Sequence, residues 1–279
     1  MLPIAINYHL FKPCNLRCSF CFATFRDVRG QLSLAEARRL IAVLRDHGAE
    51  KLNFAGGEPT LHPHIAELVR HATALGFTTT MVTNGARLGQ LLDAVGGDLH
   101  WVALSVDSAS EATQKALGRG KGTHVEHALR LADRCRAMGI GLKLNTVVTA
   151  LNWQEDMRAF VRRFAPERWK VFQVLPVAGQ NDGAVEPLLI DGARFAAFVE
   201  RHRALDPVAE DNDAMTDSYA MIDPLGRFFG NSEQTQSYSR PILEVGIAAA
   251  LAEVGYDLTK FEARGGIWQW QSEDIKEAA

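Results

Sequence analysis

Residues 1–175 alternate short apolar runs with helical patterns six times, and this rhythm restricts the fold more than any other feature of the chain. The runs fall at residues 4–7, 51–54, 78–82, 101–105, 142–148 and 169–174. Each is apolar or β-branched and is bounded by Gly or polar residues, which is how buried strands read. Between them, Ser33-Leu-Ala-Glu36 forms a capping box and Gly48 the stop of one helix. Residues 64–75 read as a helix ending at Gly76, and 125–138 as one ending at Gly139. Asn152-Trp-Gln-Glu155 offers a cap for 157–164. Six such units predict a parallel sheet with right-handed crossovers. They are fewer than the eight of a closed barrel, so the expected fold is an α/β partial (β/α)6 barrel. Residues 176–279 are less regular: 195–202 and 241–254 read as helices, the second opening on Pro241, and the acidic stretch 206–217 reads as a loop. We expect one domain, with a core over 1–175 and a C-terminal extension over 176–279.

The composition excludes several functions. A net charge of -3 lacks the basic surplus of a nucleic-acid binder. No apolar run approaches the ~20 residues that span a bilayer, and the N-terminus lacks a charged start and a small-residue cleavage site. We expect a cytoplasmic, monomeric chain in a reducing compartment, with neither membrane nor nucleic acid as partner. Three of its four cysteines, Cys14, Cys18 and Cys21, crowd into one C-x3-C-x2-C run after the first strand. In that setting metal ligation is the expected use of close cysteines.

Three thiolates on one loop can hold three irons of a [4Fe-4S] cubane and leave the fourth open. Clusters held wholly by protein use four cysteines, and Cys135 lies mid-helix at a spacing that fits a buried apolar position. The open iron suits a chelating ligand such as the amino and carboxylate groups of S-adenosylmethionine (SAM). A zinc site would want a fourth Cys or His, for which His9 is the near candidate. Further polar motifs follow the strands: Gly56-Gly57-Glu58-Pro59, Thr83-Asn84-Gly85, Ser105-Val-Asp107 and Gly118-Arg119-Gly120. Lys143, Asn145, Lys170 and Gln173 lie on the last two strands. Strand C-termini of a parallel barrel share one rim, where ligands bind, so all these groups are expected there. Gly56 and Gly57 would let the backbone approach a ligand, Glu58 would stand near the methionine ammonium, and Arg119 would hold a carboxylate. With Asn84 and Ser105 they form the expected SAM site.

This constellation resembles the radical SAM superfamily. Asn7-Tyr-His9, Cys14-Asn15, Lys51-Leu-Asn53, Gly56-Gly-Glu-Pro59, Gly118-Arg-Gly120, Lys143-Leu-Asn145, Arg168-Trp-Lys-Val-Phe-Gln173, Asp217-Ser-Tyr219 and Arg264-Gly-Gly-Ile-Trp268 are similar, more narrowly, to the viperin family in its prokaryotic form. The resemblance implies a radical SAM nucleotide dehydratase. Such an enzyme converts a nucleoside triphosphate (CTP, UTP or GTP) to its 3'-deoxy-3',4'-didehydro analogue, a chain terminator in antiviral defence. A 5'-deoxyadenosyl radical takes the ribose C4' hydrogen, the 3'-hydroxyl leaves as water, and one electron and one proton complete the product. The resemblance makes Lys51, Lys143, Arg168, Lys170 and Arg264 the triphosphate ligands, with polar contacts from Asn7, Asn53 and Asn145. It makes Tyr219 the final hydrogen donor, brings Arg264 on a C-terminal loop that closes over the nucleotide, and implies a flavodoxin- or ferredoxin-type reductant. A strongly anionic triphosphate needs several cations in a dry cleft, which agrees with this set.

The chain departs from the vertebrate members. No counterpart of their N-terminal membrane-binding helix is expected, residues 274–279 lack their terminal Trp, and the polar loop 230–239 differs from the corresponding vertebrate stretch. Two alternatives compete. Nucleotide-cyclase-like or peptide-modifying radical SAM enzymes carry additional clusters, and no cysteine follows Cys135. A non-enzymatic metal-binding module would use Trp268 and Trp270 as an exposed aromatic patch.

Overall fold

The computed structural model describes residues 3–268. Its strands are β1 (Ala5–Phe11), β2 (Lys51–Gly56), β3 (Thr78–Thr83), β4 (Trp101–Ser105), β5 (Gly141–Val148), β6 (Arg168–Gln173), β7 (Val208–Glu210), β8 (Ala220–Ile222), β9 (Arg227–Gly230) and β10 (Ser237–Pro241). The helices are α1 (Leu34–Asp46), α2 (Ile65–Ala74), α3 (Leu88–Val95), α4 (Glu111–Ala116), α5 (His124–Ala137), α6 (Arg158–Phe164), α7 (Gly192–Arg201), α8 (Asn212–Met215), α9 (Ile242–Val245), α10 (Ile247–Ala252) and α11 (Leu258–Ala263). All ten strands form one sheet in the order β10-β9-β8-β1-β2-β3-β4-β5-β6-β7. From β8 through β7 the neighbours are parallel; β9 and β10 run antiparallel. No β7–β8 pairing occurs among the described residues, so the sheet curls into a barrel that stays open along one seam. Among the described residues no helix is long and apolar enough to cross a membrane.

The six expected strands are present, with ends that shift by at most four residues. Alternate residues explain the wall they make. Leu52, Phe54, Met81, Val102, Leu104, Leu142, Leu144 and Val171 are buried and join the apolar stripes of the helices, such as Leu40, Ile41 and Leu44 of α1, in one core cluster. Their neighbours in sequence, Lys51, Asn53, Thr80, Lys143, Asn145 and Lys170, line an internal cavity. A parallel barrel ordinarily fills its interior with branched apolar side chains. Here the inner face carries these polar groups beside apolar ones such as Val82 and Ala103, and the main hydrophobic core lies between sheet and helices.

Elsewhere the chain differs from expectation. The stretch 206–217 contains β7 and α8 rather than a loop. The helix expected over 241–254 is two helices, broken at Gly246 with φ 82°. Asn152 caps no helix: its Oδ1 accepts from Thr149 N at 2.6 Å and its Nδ2 donates to the carbonyls of Asp107 (2.6 Å) and Val147 (2.9 Å). That knits two strand-end loops together. Residues 176–268 add four strands to the same sheet.

Candidate active site

The loop after β1 carries Cys14, Cys18 and Cys21, none of them in a disulfide. Neighbouring backbone grips it. Gly57 N donates to Phe11 O (2.5 Å) and Glu58 N to Pro13 O (2.9 Å), while Arg17 N and Ser19 N donate to Gly118 O and Leu117 O (both 3.2 Å). A Cβ on Gly56 would lie 2.3 Å from Phe11 O, on Gly57 2.2 Å from Lys12 O, and on Gly118 2.1 Å from Arg17 O. These glycines are therefore required by the close approach of the cysteine loop. Glu58 braces the same loops. It is buried, and its carboxylate accepts from Thr60 N (3.1 Å), Thr60 Oγ1 (2.5 Å), Thr83 Oγ1 (2.5 Å) and Asn84 N (2.8 Å). It ties the β2 and β3 ends together. Asn84 then reaches the cysteine loop, donating to Asn15 Oδ1 at 2.9 Å with Cys14 Sγ at 3.7 Å. Arg119 does hold a carboxylate, but it is that of Asp107 in the same chain. Ser105 lies at the end of β4, and its carbonyl is 2.8 Å from His124 Nε2. His9 stands apart from the thiols' chemistry: it packs edge-on against Phe22, Phe25 and Phe229 with ring centroids 5.2–6.0 Å away.

Deeper in the barrel a single cavity is lined by Asn7, Lys51, Asn53, Lys143, Asn145, Arg168, Lys170, Tyr219 and Arg264. The structure thus brings together every residue expected around the nucleotide. Their depth differs from the expectation. Lys51 and Arg168 are the first residues of β2 and β6, and Lys143 is the third of β5. These cations face inward in the N-terminal half of the barrel, not on the C-terminal rim with the cysteines. The polar inner wall makes that depth usable. Register sets them side by side: Lys143 pairs with Arg168, Asn145 with Lys170, and Asn7 with Asn53. Thr80 Oγ1 donates to Asn53 Oδ1 (2.6 Å) and Asn53 Nδ2 to Asn7 Oδ1 (2.8 Å), a relay across three strands. Asn145 Oδ1 is buried with no hydrogen-bond partner. The far end is closed by residues 261–268, where the Trp268 ring lies 4.1 Å from Lys143 Nζ and 5.0 Å from the Arg168 guanidinium. Trp268 is therefore a lining residue rather than an exposed patch; Trp270 and the tail 274–279 lie outside the described residues. The polar loop 230–239 contributes nothing to the cavity lining.

Sequence reasoning missed Glu210. It is fully buried on β7 and faces Lys170, Arg264 and Tyr219. Its surroundings, Glu210-Asp-Asn-Asp213, read as a solvated acidic loop.

The radical SAM superfamily model matches residues 9–162. The chain is 44% identical over 278 residues to the S-adenosylmethionine-dependent nucleotide dehydratase of Flammeovirga pacifica, with 96% of each chain covered. It is 34% identical over 289 residues to the S-adenosylmethionine-dependent nucleotide dehydratase RSAD2 of Oncorhynchus mykiss, covering 98% of this chain and 82% of that one. The chain belongs to the S-adenosylmethionine-dependent nucleotide dehydratases of the radical SAM superfamily. In fold it is similar to Streptococcus suis SuiB bound to S-adenosylmethionine, with a TM-score of 0.71 at 16% identity over 98% of this chain and 69% of that one.

Membership in this superfamily implies SAM and an iron–sulfur cluster, and the donor chemistry fits the cluster. Burial raises the pKa of all three thiols, that of Cys21 to about 12, with neighbouring thiols adding to the rise for Cys18 and Cys21 and Arg119 opposing it. Such thiols become thiolates when cationic iron supplies the missing charge. Among the described residues no three His, Cys, Asp or Glu side chains converge as on one metal ion. A cubane, by contrast, spreads three cysteines over three irons. Burial lowers the His9 pKa to about 3 inside the aromatic box, so its ring is neutral.

In the cavity of this family member, like charges press on one another. Burial, then Lys170, Arg168 and Arg264, lowers the Lys51 pKa to about 7. Burial, then Lys51 and Lys170, drives that of Lys143 well down. Burial lowers Lys170 to about 8 although Glu210 opposes it. Glu210 shows the converse: burial would raise it, but Lys170 and Arg264 hold it low. Burial and then the Glu210 charge raise Tyr219 well above the usual phenol range. Perturbation of this kind is concentrated where a protein prepares to meet a charged ligand.

Proposed function

We propose that the nucleotide dehydrated by this chain is a nucleoside triphosphate (CTP, UTP or GTP), and that the product is its 3'-deoxy-3',4'-didehydro analogue, a chain terminator in antiviral defence. The observation that carries the reading is the crowding of Lys51, Lys143, Arg168, Lys170 and Arg264 around one cavity, in a chain whose net charge is -3. Five cationic side chains crowded round one cavity, among which burial and like charge lower the pKa of Lys51, Lys143, Arg168 and Lys170, are matched by a ligand carrying three to four negative charges.

In this reading Cys14, Cys18 and Cys21 hold a [4Fe-4S] cluster, and the strand-end loops bearing Gly56, Gly57, Glu58, Asn84, Ser105 and Arg119 shape the SAM site around it. When bound, cluster and SAM supply a carbon-centred radical able to take hydrogen from ribose C4'. The chain's own residues do the rest. The cations grip the phosphates, Asn7, Asn53 and Asn145 orient the ribose and its linkage, and the closed far end excludes water from a reactive intermediate. Asn145 Oδ1, buried without a partner, awaits a donor such as a ribose hydroxyl. Tyr219 gives the last hydrogen. The core over 1–175 and the extension over 176–279 act as one domain, the extension closing over the nucleotide. The chain works as a monomer in the cytoplasm, with electrons from a flavodoxin- or ferredoxin-type protein.

The test is anaerobic incubation of reconstituted protein with SAM, dithionite and each of CTP, UTP, GTP and ATP. Mass spectrometry should find 5'-deoxyadenosine and one nucleotide lighter by water. Radical formation with no dehydrated triphosphate would remove the substrate assignment.

A pH dependence follows from the lysines. In the empty cavity Lys51 and Lys170 titrate at about 7 and about 8, against an ordinary value of 10.5. Their unfolded forms therefore bind more protons between those values, and the empty chain gains stability as pH rises through that window. A polyanion restores the charged forms, so its affinity declines as pH rises through about 7 to 8. With Lys143 driven well down as well, tripolyphosphate binding at pH 8 is expected to take up about two protons. Calorimetry in two buffers of different ionisation enthalpy measures it; zero uptake would contradict the crowded-cation account.

A further inference from the structure

We propose that Glu210 is the positioning residue that holds Tyr219, Lys170 and Arg264 in their working arrangement. The inference rests on the triphosphate reading of the cavity and extends it to a residue outside the cavity lining.

The argument begins with the seam. Glu210 ends β7, at one edge of the parallel run, and Tyr219 immediately precedes β8, at the other. Backbone pairing between the two is absent among the described residues, and the Glu210 carboxylate spans the opening. Oε2 accepts the Tyr219 hydroxyl proton. Oε1 faces the Lys170 ammonium and lies 3.5 Å from Arg264 Nη1. Lys170 Nζ in turn donates to the Tyr219 oxygen at 2.7 Å. Arg264 lies 3.5 Å from the Tyr219 ring centroid and donates to Ser218 O at 3.2 and 2.9 Å. The phenol is thus fixed from both sides, its proton on a carboxylate and its oxygen under an ammonium.

Apolar residues would close a seam more cheaply, because burying a carboxylate carries a desolvation cost even when it is paired. A carboxylate earns its place only where its partners must keep a set geometry and charge. All three partners line the cavity while Glu210 does not, so it acts through them.

The test uses the reconstituted full chain carrying Glu210→Gln, with Glu210→Asp as the conservative variant and Tyr219→Phe as the spectroscopic reference. In Glu210→Gln, SAM cleavage should persist while dehydrated nucleotide formed per 5'-deoxyadenosine falls about tenfold. Tripolyphosphate affinity should fall by a smaller factor than the coupling, since Lys51, Lys143 and Arg168 keep their places, and Glu210→Asp should recover part of the coupling. Independently of turnover, ultraviolet titration should show the Tyr219 phenol ionising at lower pH once the neighbouring negative charge is gone. Native coupling in Glu210→Gln, or an unmoved Tyr219 titration, overturns the inference. So does coupling that falls only in step with tripolyphosphate affinity and the urea midpoint, because that is a merely structural role; if the Gln variant does not fold, the Asp variant is held to the same criteria. If native protein binds tripolyphosphate but dehydrates no nucleotide while the titration moves as stated, the positioning role stands and the substrate assignment fails.

Discussion

Gly57→Ala is expected to abolish SAM cleavage and to lower iron from about four per chain to below one after anaerobic reconstitution. The added Cβ would lie 2.2 Å from Lys12 O and 2.4 Å from Pro13 O. Both are backbone atoms, so no flexible side chain can swing aside. The same segment is bolted to the cysteine loop by Gly57 N to Phe11 O and Glu58 N to Pro13 O. Relief therefore requires moving the stretch that leads into Cys14, and a misplacement of about 1 Å can cost about a hundredfold in a catalytic site. The helices and sheet around it are untouched, so the urea midpoint should shift little. Gly97→Ala is the control: a Cβ there meets nothing within 4 Å, and iron content and cleavage should stay native. Full iron and full cleavage in Gly57→Ala would mean that the β2 loop does not set the position of the cysteine loop.

The parts of this fold that could be read from sequence are those where an apolar face recurs. β2 to β6 alternate residues buried under helices with residues facing the cavity, and both sets left a trace: the first as strand signals, the second as lysines and asparagines on those strands. β7 and β8 are three residues each, too short for any period to show. The depth of the cations was hidden for a related reason. The rim rule presumes an interior packed with apolar layers, whereas this interior is polar and open to a ligand. The glycines illustrate a different limit. Sequence indicates that a backbone comes close at Gly56 and Gly57, but only the folded chain shows that the approaching group is the carbonyl row of residues 11–13. Glu58 and Arg119 were legible as charged groups near the site; that they are buried and that their partners are Thr60, Thr83, Asn84 and Asp107 depends on loops meeting across the barrel top. Glu210 left no trace because an acidic, polar run is the ordinary signature of a solvated loop.

The second large effect is expected at Lys143, where binding and stability should move in opposite directions. Lys143 is 7% exposed, and burial together with Lys51 and Lys170 disfavours its charge. Met keeps the length and the contacts with Trp101 and Trp268 while removing the ammonium. The empty chain thereby loses a buried amine whose charged form burial, Lys51 and Lys170 disfavour, and Lys143→Met should gain about 1 kcal/mol, a rise of about 2–4 °C in melting temperature. The bound state loses a desolvated charge-assisted contact to phosphate, which costs about 3 kcal/mol, or about a hundredfold in nucleotide affinity. SAM cleavage without nucleotide should remain, since Lys143 lies in the N-terminal half of the barrel and the cysteines at its C-terminal end. Calorimetric affinity and thermal melting of the same preparation decide the matter. A variant that melts lower and binds as tightly as native would show that Lys143 serves the fold and not the anion. The opposite pairing, higher melting with lost affinity, would mark a cavity whose cations are kept at a cost to the empty protein because the ligand supplies the missing charge.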